Sequence, residues 1–320
     1  MAISFDLHRL RLLRELKHRG TISAVAAAMS YSHSAVSQQL KILESEVGTP
    51  LLEPDGRRVR LTPQAEILVE HVEAVLERLD QADADLARTL GEVTGTFRIA
   101  TFQTVMMALM PPVLTRVRAS CPRLSLELAH ADPGEALSRL QVREFDLVVD
   151  EVFAGQPLAR SSLVTQTVMH RDAMRLAVPP PGLPWSDRRQ IAELSDADWV
   201  MEPPGSPARE WADRMCAAAG FTPKTRYESP DMVVHETLVR GGHAVAFLPD
   251  LLWVGAVPVV GLHQLRAGGY RDIVCSVRAG TTDHPAVRAT TDAVGEACEQ
   301  AAVAIATHLE QGTTETKNGQ

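Results

Sequence analysis

One long amphipathic segment, residues 63–90, constrains the architecture of this 320-residue chain more than any other feature. It follows Thr62, which can cap a helix, and it starts with Pro63, which is favoured at the first helical position. Apolar residues then recur at spacings of 4, 3, 4, 3 and 4, at Leu68, Val72, Val75, Leu79, Ala82 and Leu86. This heptad pattern predicts a helix that pairs with a twin helix in a dimer. The alternative is a helix that lies on its own domain.

The preceding residues, 1–62, have the pattern of three short helices followed by a hairpin. Asp6 and Ser32 can cap the first and third helices, and Gly20 and Gly48 can end them. The hairpin "LEPDGRRVRLT" (52–62) contains a Pro-Asp-Gly turn and then alternates basic and apolar residues. We therefore expect a mainly helical first domain with a two-stranded wing.

The third predicted helix has an apolar face and a polar face. Its apolar stripe consists of Val36, Leu40, Leu43 and Val47. Its opposite face consists of Ser34, Gln38, Lys41 and Ser45. A face that only meets water is usually rich in Glu and Lys, whereas hydroxyl and amide groups suit hydrogen bonds to bases and phosphates. The pattern favours contact with a nucleic acid, and a merely solvated face is the alternative.

The charge is distributed unevenly along the chain. The net charge is −8, but residues 1–62 contain nine Lys/Arg and six Asp/Glu, which gives 9 − 6 = +3. Residues 63–90 give 2 − 7 = −5, and residues 91–320 give 21 − 27 = −6. A basic first module before an acidic body is expected when only that module meets phosphate.

From residue 97 onward, strand-like and helical stretches alternate. The predicted strands are 97–100, 124–129, 145–149, 174–178, 198–201, 244–248 and 273–277. The predicted helices are 105–119, 134–143, 207–219, 231–240 and 285–309. This alternation predicts an α/β region with largely parallel sheets, and its length indicates two subdomains with a cleft between them. The apolar stretch 243–262 contains Asp250 and two prolines, so we expect two buried strands there rather than a membrane span.

Several classes of protein and site are disfavoured. The four cysteines are far apart and form no CxxC, which fits a reducing cytosol and neither a disulfide framework nor a zinc site. The sequence contains no GxSxG, HExxH or Walker motif, so we expect neither an enzyme nor a metal centre. The N-terminus acquires charge within six residues, and we expect no signal peptide.

These segments together resemble the LysR-type transcriptional regulators over nearly the whole chain. The N-terminal resemblance is carried by "ISAVAAAMSYSHSAVSQQLKILESEVGTPLL", by "GRRVRLTP" and by the long helix that follows. The C-terminal resemblance is carried by "GTFRIATFQT", "MPPVLTRVRASCPRLSLEL", "FDLVV" and "LVRGGHAVAFLP".

The resemblance implies an α/β multidomain protein. The implied parts are a winged helix-turn-helix DNA-binding domain (1–62), a dimerising linker helix (63–91), an effector-binding regulatory domain similar to periplasmic binding proteins (92–310) and a flexible tail (311–320). Subdomain I of the regulatory domain would comprise about 95–170 and 271–310, and subdomain II about 171–270.

Carried onto this sequence, the resemblance assigns DNA contacts to the third helix and the wing. The implied residues are Ser32, His33, Ser34, Ser37, Gln38, Lys41, Arg57, Arg58 and Arg60. We expect Gln38 to read a base, because an amide can pair bidentately with adenine, and the wing arginines to hold the backbone. Three residues depart from the family pattern: His33 replaces the common Gln, Pro54 the frequent Arg, and Ala65 the usual Gly.

The resemblance also implies an effector cleft. Its expected residues are Thr101, Gln103, Thr104, His130, Glu202, Ser206 and Ser229. Thr101, Gln103 and Thr104 lie where a strand leads into a helix, and free N–H groups at a helix start suit a carboxylate or phosphate. For each residue the alternative is a cap or turn role without a ligand.

The function implied is sequence-specific transcriptional regulation by a cytoplasmic, nucleoid-associated bacterial protein. It would bind a dyad promoter site as a dimer or tetramer, contact RNA polymerase and respond to a small-molecule effector, without a cofactor, a metal or a membrane. Effector-driven closure of the cleft would shift two DNA-binding heads relative to each other. The alternatives are a solute-binding protein and a DNA architectural protein without ligand response.

Overall fold

The computed structural model describes residues 5–318, except 30, 57, 91, 132, 159, 160, 162 and 266. The first domain contains α1 (Leu7–Arg19), α2 (Ile22–Ala28), α3 (His33–Val47), β1 (Leu52–Asp55) and β2 (Arg58–Leu61). The predicted caps are confirmed, because the side chains of Asp6 and Ser32 accept backbone N–H bonds at the starts of α1 and α3. Gly20 and Gly48 end these helices in the left-handed conformation that glycine adopts readily, at φ 73° and 75°.

One apolar core holds this head together. It is formed by side chains of all three helices, among them Leu12, Leu13, Val25, Val36, Leu40 and Leu43. The next helix, α4 (Pro63–Thr89), adds Ala65, Val69, Val72 and Leu76 to the same core. The head and the first half of α4 are therefore one packed unit.

The helix α4 has two apolar faces. Its inner face, which includes Val69, Leu76 and Ala84, is buried against the chain itself. Its outer face exposes the predicted seam residues Val75, Leu79, Ala82 and Leu86, together with Ile67 and Leu90. Val72 is a correction to the predicted seam: it is buried in the head core, because an α-helix drifts from a strict heptad and turns this position inward. Leu68 is half-buried against the same core.

The remaining residues form the regulatory region. Its strands are β3 (Thr94–Thr101), β4 (Arg123–His130), β5 (Leu147–Phe153), β6 (Val164–Val178), β7 (Asp198–Met201), β8 (Lys224–Glu228), β9 (Ala246–Pro249), β10 (Gly261–Gln264) and β11 (Tyr270–Arg278). Its helices are α5 (Gln103–Ala108), α6 (Met110–Ser120), α7 (Pro133–Gln141), α8 (Pro207–Ala218), α9 (Met232–Arg240) and α10 (Pro285–Asn318). Short 3₁₀ turns span Ile191–Leu194, Asp250–Trp253 and Ala279–Thr281.

The large sheet is mixed, so the expectation of largely parallel sheets is wrong. Its strand order is β10-β6-β11-β5-β3-β4, with β9 also beside β6. β3 runs parallel to β4 and β5, whereas β11 is antiparallel to β5 and β6, and β9 and β10 are antiparallel to β6. The cause is the connection between subdomains: the chain leaves the first along β6 and returns along β11, in the opposite direction.

The regulatory region has two lobes, which are connected by β6 and β11. The first packs α5, α6 and α10 around Ile99, Leu147 and Ile273, and the second packs α8 against Trp199 and Phe247. No helix in the described part of the chain is both long and apolar enough to cross a bilayer. The apolar stretch 243–262 forms β9, a 3₁₀ turn and the start of β10.

The last helix, α10, extends into the segment predicted to be a polar, flexible tail at 311–320, and it is described as helix as far as Asn318. Residues 311–318 contain no proline, and Gly312 does not end the helix.

Candidate functional site

The polar face predicted for α3 is exposed in the structure. Ser34, Gln38 and Lys41 point away from the head, while Val36 and Leu40 lie in its core. Ser32 and His33 at the start of the helix are exposed as well, and Ser37 is half-buried. The two-faced helix is thus confirmed, and its contact with DNA stays a prediction.

The start of α3 is held in a fixed geometry. The Ser32 hydroxyl accepts the Ala35 N–H at 3.1 Å and lies 3.0 Å from the Ser34 hydroxyl. Arg9 of α1 donates from Nε to Gln39 at 3.0 Å and also pairs with Glu46, so α1 braces α3 from its side. The exposed hydroxyl and amide groups therefore sit on a rigid element.

The wing has the predicted hairpin, with Glu53 opposite Arg60. Arg60 is exposed and pairs with Glu53 at 2.6 Å. Such an exposed pair is weak, so a phosphate can compete with Glu53 for the guanidinium. Arg57 lies outside the described residues, and only the backbone of Arg58 is described, in β2.

A cavity of about 430 Å³ separates the two lobes of the regulatory region. Five of the seven predicted effector residues line it: Gln103, Thr104, His130, Glu202 and Ser206. Thr101 and Ser229 do not line it, which corrects their assignment. Thr101 is buried at the end of β3, and the Ser229 hydroxyl accepts the Asp231 N–H at 3.1 Å in the turn before α9.

Gln103 connects the lobes across the cavity. Its Nε2 donates to Asp231 Oδ1 at 2.6 Å, and its Oε1 accepts the Met232 N–H at 2.8 Å. The hydrogen bond from Gln103 lowers the pKa of Asp231. Gln103 therefore holds the start of α9 against the first lobe, a role that the sequence did not reveal.

A buried arginine forms the floor of the cavity. Arg271 of β11 donates from Nη1 to Glu151 at 2.6 Å, from Nε to Asp172 at 2.9 Å and from Nη2 to the Thr104 hydroxyl at 2.7 Å. Burial raises the pKa of Asp172 to about 6, against the opposing effect of Arg271. This cluster links β5, β6, β11 and the start of α5 at one point.

Three further charged residues that were not predicted from the sequence line the cavity: Arg271, Glu151 and Glu135. A signal existed for Arg271 and Glu151, because each places a charge in a mostly buried strand, next to a second charge at Asp272 and Asp150 respectively. Glu135 occupies an ordinary position in the first turn of α7, and nothing in its local sequence marks it.

No group of three or more His, Cys, Asp or Glu residues that could hold a metal ion occurs within the described residues.

Two family descriptions match the chain. Residues 7–66 match the bacterial regulatory helix-turn-helix protein of the lysR family, and residues 90–299 match the LysR substrate binding domain. Together they cover the head and both lobes, and most of the linker helix lies between the two matched ranges.

Curated relatives are similar over most of their length. The chain is 25% identical to the transcriptional dual regulator GltC of Bacillus subtilis, covering 79% of this chain and 83% of that protein. It is 28% identical to a probable hydrogen peroxide-inducible genes activator of Mycobacterium avium, covering 78% of each. It is 26% identical to the probable regulator LrrA of Synechococcus elongatus, covering 90% and 95%. These relatives are regulators of transcription and not enzymes, as predicted.

Solved structures share the fold. A full-length OxyR variant from Pseudomonas aeruginosa aligns with a TM-score of 0.65 at 20% identity, over 91% of this chain and 95% of that one. CbnR, a LysR family transcriptional regulator, aligns with a TM-score of 0.52 at 20% identity, over 91% and 100%. Full-length CbnR complexed with its target DNA gives 0.50 at 19% identity, over 92% and 100%. From its two matched domains, the chain belongs to the LysR-type transcriptional regulators.

Proposed function

We propose that this regulator binds a dyad promoter site as a dimer or tetramer and that a small molecule in the cleft between the lobes modulates it. The observation that carries the proposal is the exposed Ser/Gln/Lys face of α3 on a rigid basic head. On this proposal the protein acts in the cytoplasm on the nucleoid and contacts RNA polymerase. A DNA architectural protein without ligand response would have no use for the cavity of about 430 Å³.

The chemistry of α3 supports reading in the major groove, which admits an α-helix. Gln38 lies in the middle of the exposed face, where its amide can reach the N6 and N7 atoms of an adenine. Lys41 lies one turn further along and suits a guanine or a phosphate. Ser32, His33 and Ser34 at the exposed helix start suit phosphate and base contacts nearby.

The outer face of α4 supports a second copy of the chain as partner. The side chains on this face are largely exposed: 48% for Val75, 43% for Leu79 and 64% for Leu86. Exposure of apolar surface to water is unfavourable, and pairing with a twin helix would bury that surface. The inner face is already occupied by the head core, so the two faces have separate partners. A paired α4 would hold two heads at a fixed separation, as a dyad site requires.

The cysteines bear on the type of effector. Some relatives are activators of hydrogen-peroxide-inducible genes, and a thiol that reacts with an oxidant must be accessible and ionised. All four cysteines here are buried. Burial raises the pKa of Cys216 to about 12 and that of Cys298 to about 11. We therefore propose a non-covalent effector rather than oxidation of these thiols.

Binding-site selection with randomised duplex DNA tests the proposal. The parent should enrich a dyad sequence, and Gln38→Ala should lose the preference at one base pair per half-site, at a cost of about 1–3 kcal/mol. Gln39→Ala is the matched control, because Gln39 is engaged by Arg9 inside the head and should leave the preference unchanged. A parent that enriches no sequence at low salt, or a Gln38→Ala variant with an unchanged consensus, contradicts the proposal.

A further inference from the structure

The cavity between the lobes contains more acid than base. Glu135, Glu151 and Glu202 line it, and Arg271 is the single Lys or Arg among its described lining residues. Counting Asp, Glu, Lys and Arg only, the lining carries −3 + 1 = −2 charges. A cavity with this balance attracts a cation and repels an anion.

The guanidinium of Arg271 is already neutralised. It is 3% exposed and lies within hydrogen-bond distance of two carboxylates, Glu151 at 2.6 Å and Asp172 at 2.8 Å. This trio carries a net charge of −1, and Glu135 brings it to −2 even when Glu202 is set aside. An anionic ligand would have to break buried ion pairs in order to reach Arg271.

The start of α5 offers no compensation for an anion. The helix is six residues long, Gln103–Ala108, and its first side chain is engaged with Asp231 across the cavity. The sequence pattern predicted a carboxylate or phosphate ligand here, but the negative charge of the cavity lining would repel such an anion.

A small inner cavity of about 30 Å³ adjoins the main one and shares Glu202, Met232 and Arg271 with it. Aromatic side chains, Phe153, Trp211 and Phe247, line its other side. Its volume admits one small group. A ligand can thus place a non-polar or small terminal group between these rings while the rest occupies the acidic main cavity.

An unused hydrogen-bond acceptor lies in the wall of the inner cavity. His235 is 2% exposed, and its Nε2 lies 2.8 Å from the Ser229 carbonyl, which can only accept, so Nε2 carries the hydrogen. Burial lowers the pKa of His235, which leaves the ring neutral and Nδ1 a bare acceptor. Nδ1 has no partner within the part of the chain that the structure describes. An N–H donor of a ligand would supply the partner that this nitrogen lacks.

We propose that the effector is a small organic cation, in which an ammonium or guanidinium group is joined to a compact non-polar part. The proposal rests on the proposed ligand-responsive function and specifies the chemical class that the cavity accepts. The acidic lining binds the cationic group, and the aromatic wall binds the non-polar part. The ligand donates hydrogen bonds where the protein offers acceptors.

Matched probes test this proposal with the full-length protein. Primary amines with n-butyl, n-hexyl, benzyl and 2-phenylethyl skeletons are compared with the alcohol and the carboxylate of each skeleton, by saturation-transfer NMR and thermal shift. At least one amine should bind tenfold or more tightly than its alcohol and its carboxylate. Glu135→Gln should weaken that amine at least fivefold, and Glu210→Gln, the same change on an exposed residue outside the cavity lining, should not.

The outcomes separate the two proposals. Three results would overturn the proposal of a cationic effector. They are a carboxylate that binds more tightly than the matching amine, no amine that binds at millimolar concentration, and a Glu135→Gln variant that binds the amine as tightly as the parent does. DNA affinity is measured in parallel by fluorescence anisotropy on the selected dyad. If the parent protein binds the dyad but binds no amine, only the proposed ligand class is refuted. If the parent protein does not bind a dyad sequence, the proposed function is refuted.

Discussion

Asp150 places a carboxylate inside the sheet of the first lobe. It lies on β5, is buried, and accepts the Glu151 N–H at 2.7 Å, and no salt bridge reaches it in the described part of the chain. Burial raises its pKa to about 6. In the unfolded chain the pKa is about 3.9, so the folded state binds the proton more tightly. Its contribution to stability is therefore present below about pH 4 and is lost as the pH rises through about 6.

Replacing this group should remove that part of the pH dependence. The parent should lose about 2 kcal/mol of unfolding free energy between pH 4.5 and pH 7.5 as Asp150 ionises, and Asp150→Asn should not show this loss. Asn does not ionise, and its oxygen can still accept the Glu151 N–H. Urea unfolding at the two pH values measures the change. Asp292→Asn, on the exposed side of α10, is the control and should show no such difference. Equal pH dependence in parent and Asp150→Asn contradicts the prediction.

At the scale of elements, α4 offers a direct test of the twin-helix pairing. Leu79→Glu places a charge in the exposed apolar face and should convert the proposed dimer to a monomer at micromolar concentration, because a like charge then faces its copy across the seam. Gln81→Glu makes the same addition on an exposed position outside that face and should stay dimeric. Sedimentation velocity measures both. A dimeric Leu79→Glu protein would show that other surfaces hold the copies together.

Elements with strong local signals were predictable from the sequence. The caps at Asp6, Thr62 and Ser32, and the glycines after α1 and α3, act within a few residues, so their chemistry is readable locally. β8 and the first part of β6 were missed, because they are polar and partly exposed, and tertiary pairing rather than local hydrophobicity makes them strands. For the same reason the mixed order of the sheet was not readable from the chain.

The cleft was predictable only in part. Gln103 and Thr104 at the start of α5 and Glu202 after β7 were found because each follows a recognisable strand. Arg271 and Asp172 come from positions 99 residues apart, and their pairing depends on how β6 and β11 cross. Charged residues that are far apart in the sequence and are brought together by the fold cannot be recognised as neighbours from one sequence. The net negative charge of the cavity was therefore visible only in the structure.

At the scale of the whole molecule, the head, the linker helix and the regulatory region meet at one ionic cluster. Asp80 of α4 is buried and pairs with Arg143 and, at 3.4 Å, with Arg278. Arg143 has a φ of 64°, which costs a non-glycine residue of order 1–3 kcal/mol, so its side-chain contacts offset a backbone cost. Arg19 of the head pairs with Glu144 next to it. The cluster ties three parts of the chain together.

Removing the central charge should loosen this junction. Asp80→Asn removes the carboxylate that Arg143 and Arg278 share, which leaves Arg278 with Asp146 alone, and it should lower the unfolding free energy by about 3 kcal/mol. Urea unfolding followed by both fluorescence and circular dichroism measures it, and the linker should become more sensitive to limited proteolysis. Asp83→Asn, less than one turn further along and exposed, is the control.

A second variant tests the same junction without changing charge. A Cβ at Gly280 would lie 2.3 Å from the Glu77 carbonyl oxygen of α4, so Gly280→Ala must push the regulatory region away from the helix. It should mimic Asp80→Asn in proteolysis. If both variants unfold and resist protease like the parent, the junction does not hold the head in place.

Arg271 at the floor of the cavity and Arg278 under the linker helix belong to one strand, seven residues or about 23 Å apart. That strand is hydrogen-bonded along both edges, to β5 and to β6, with one register shift against β6 between Ile273 and Val274. A ligand that displaces Arg271 is therefore expected to shift Arg278 as well, and with it the contact of Arg278 with Asp80 of α4.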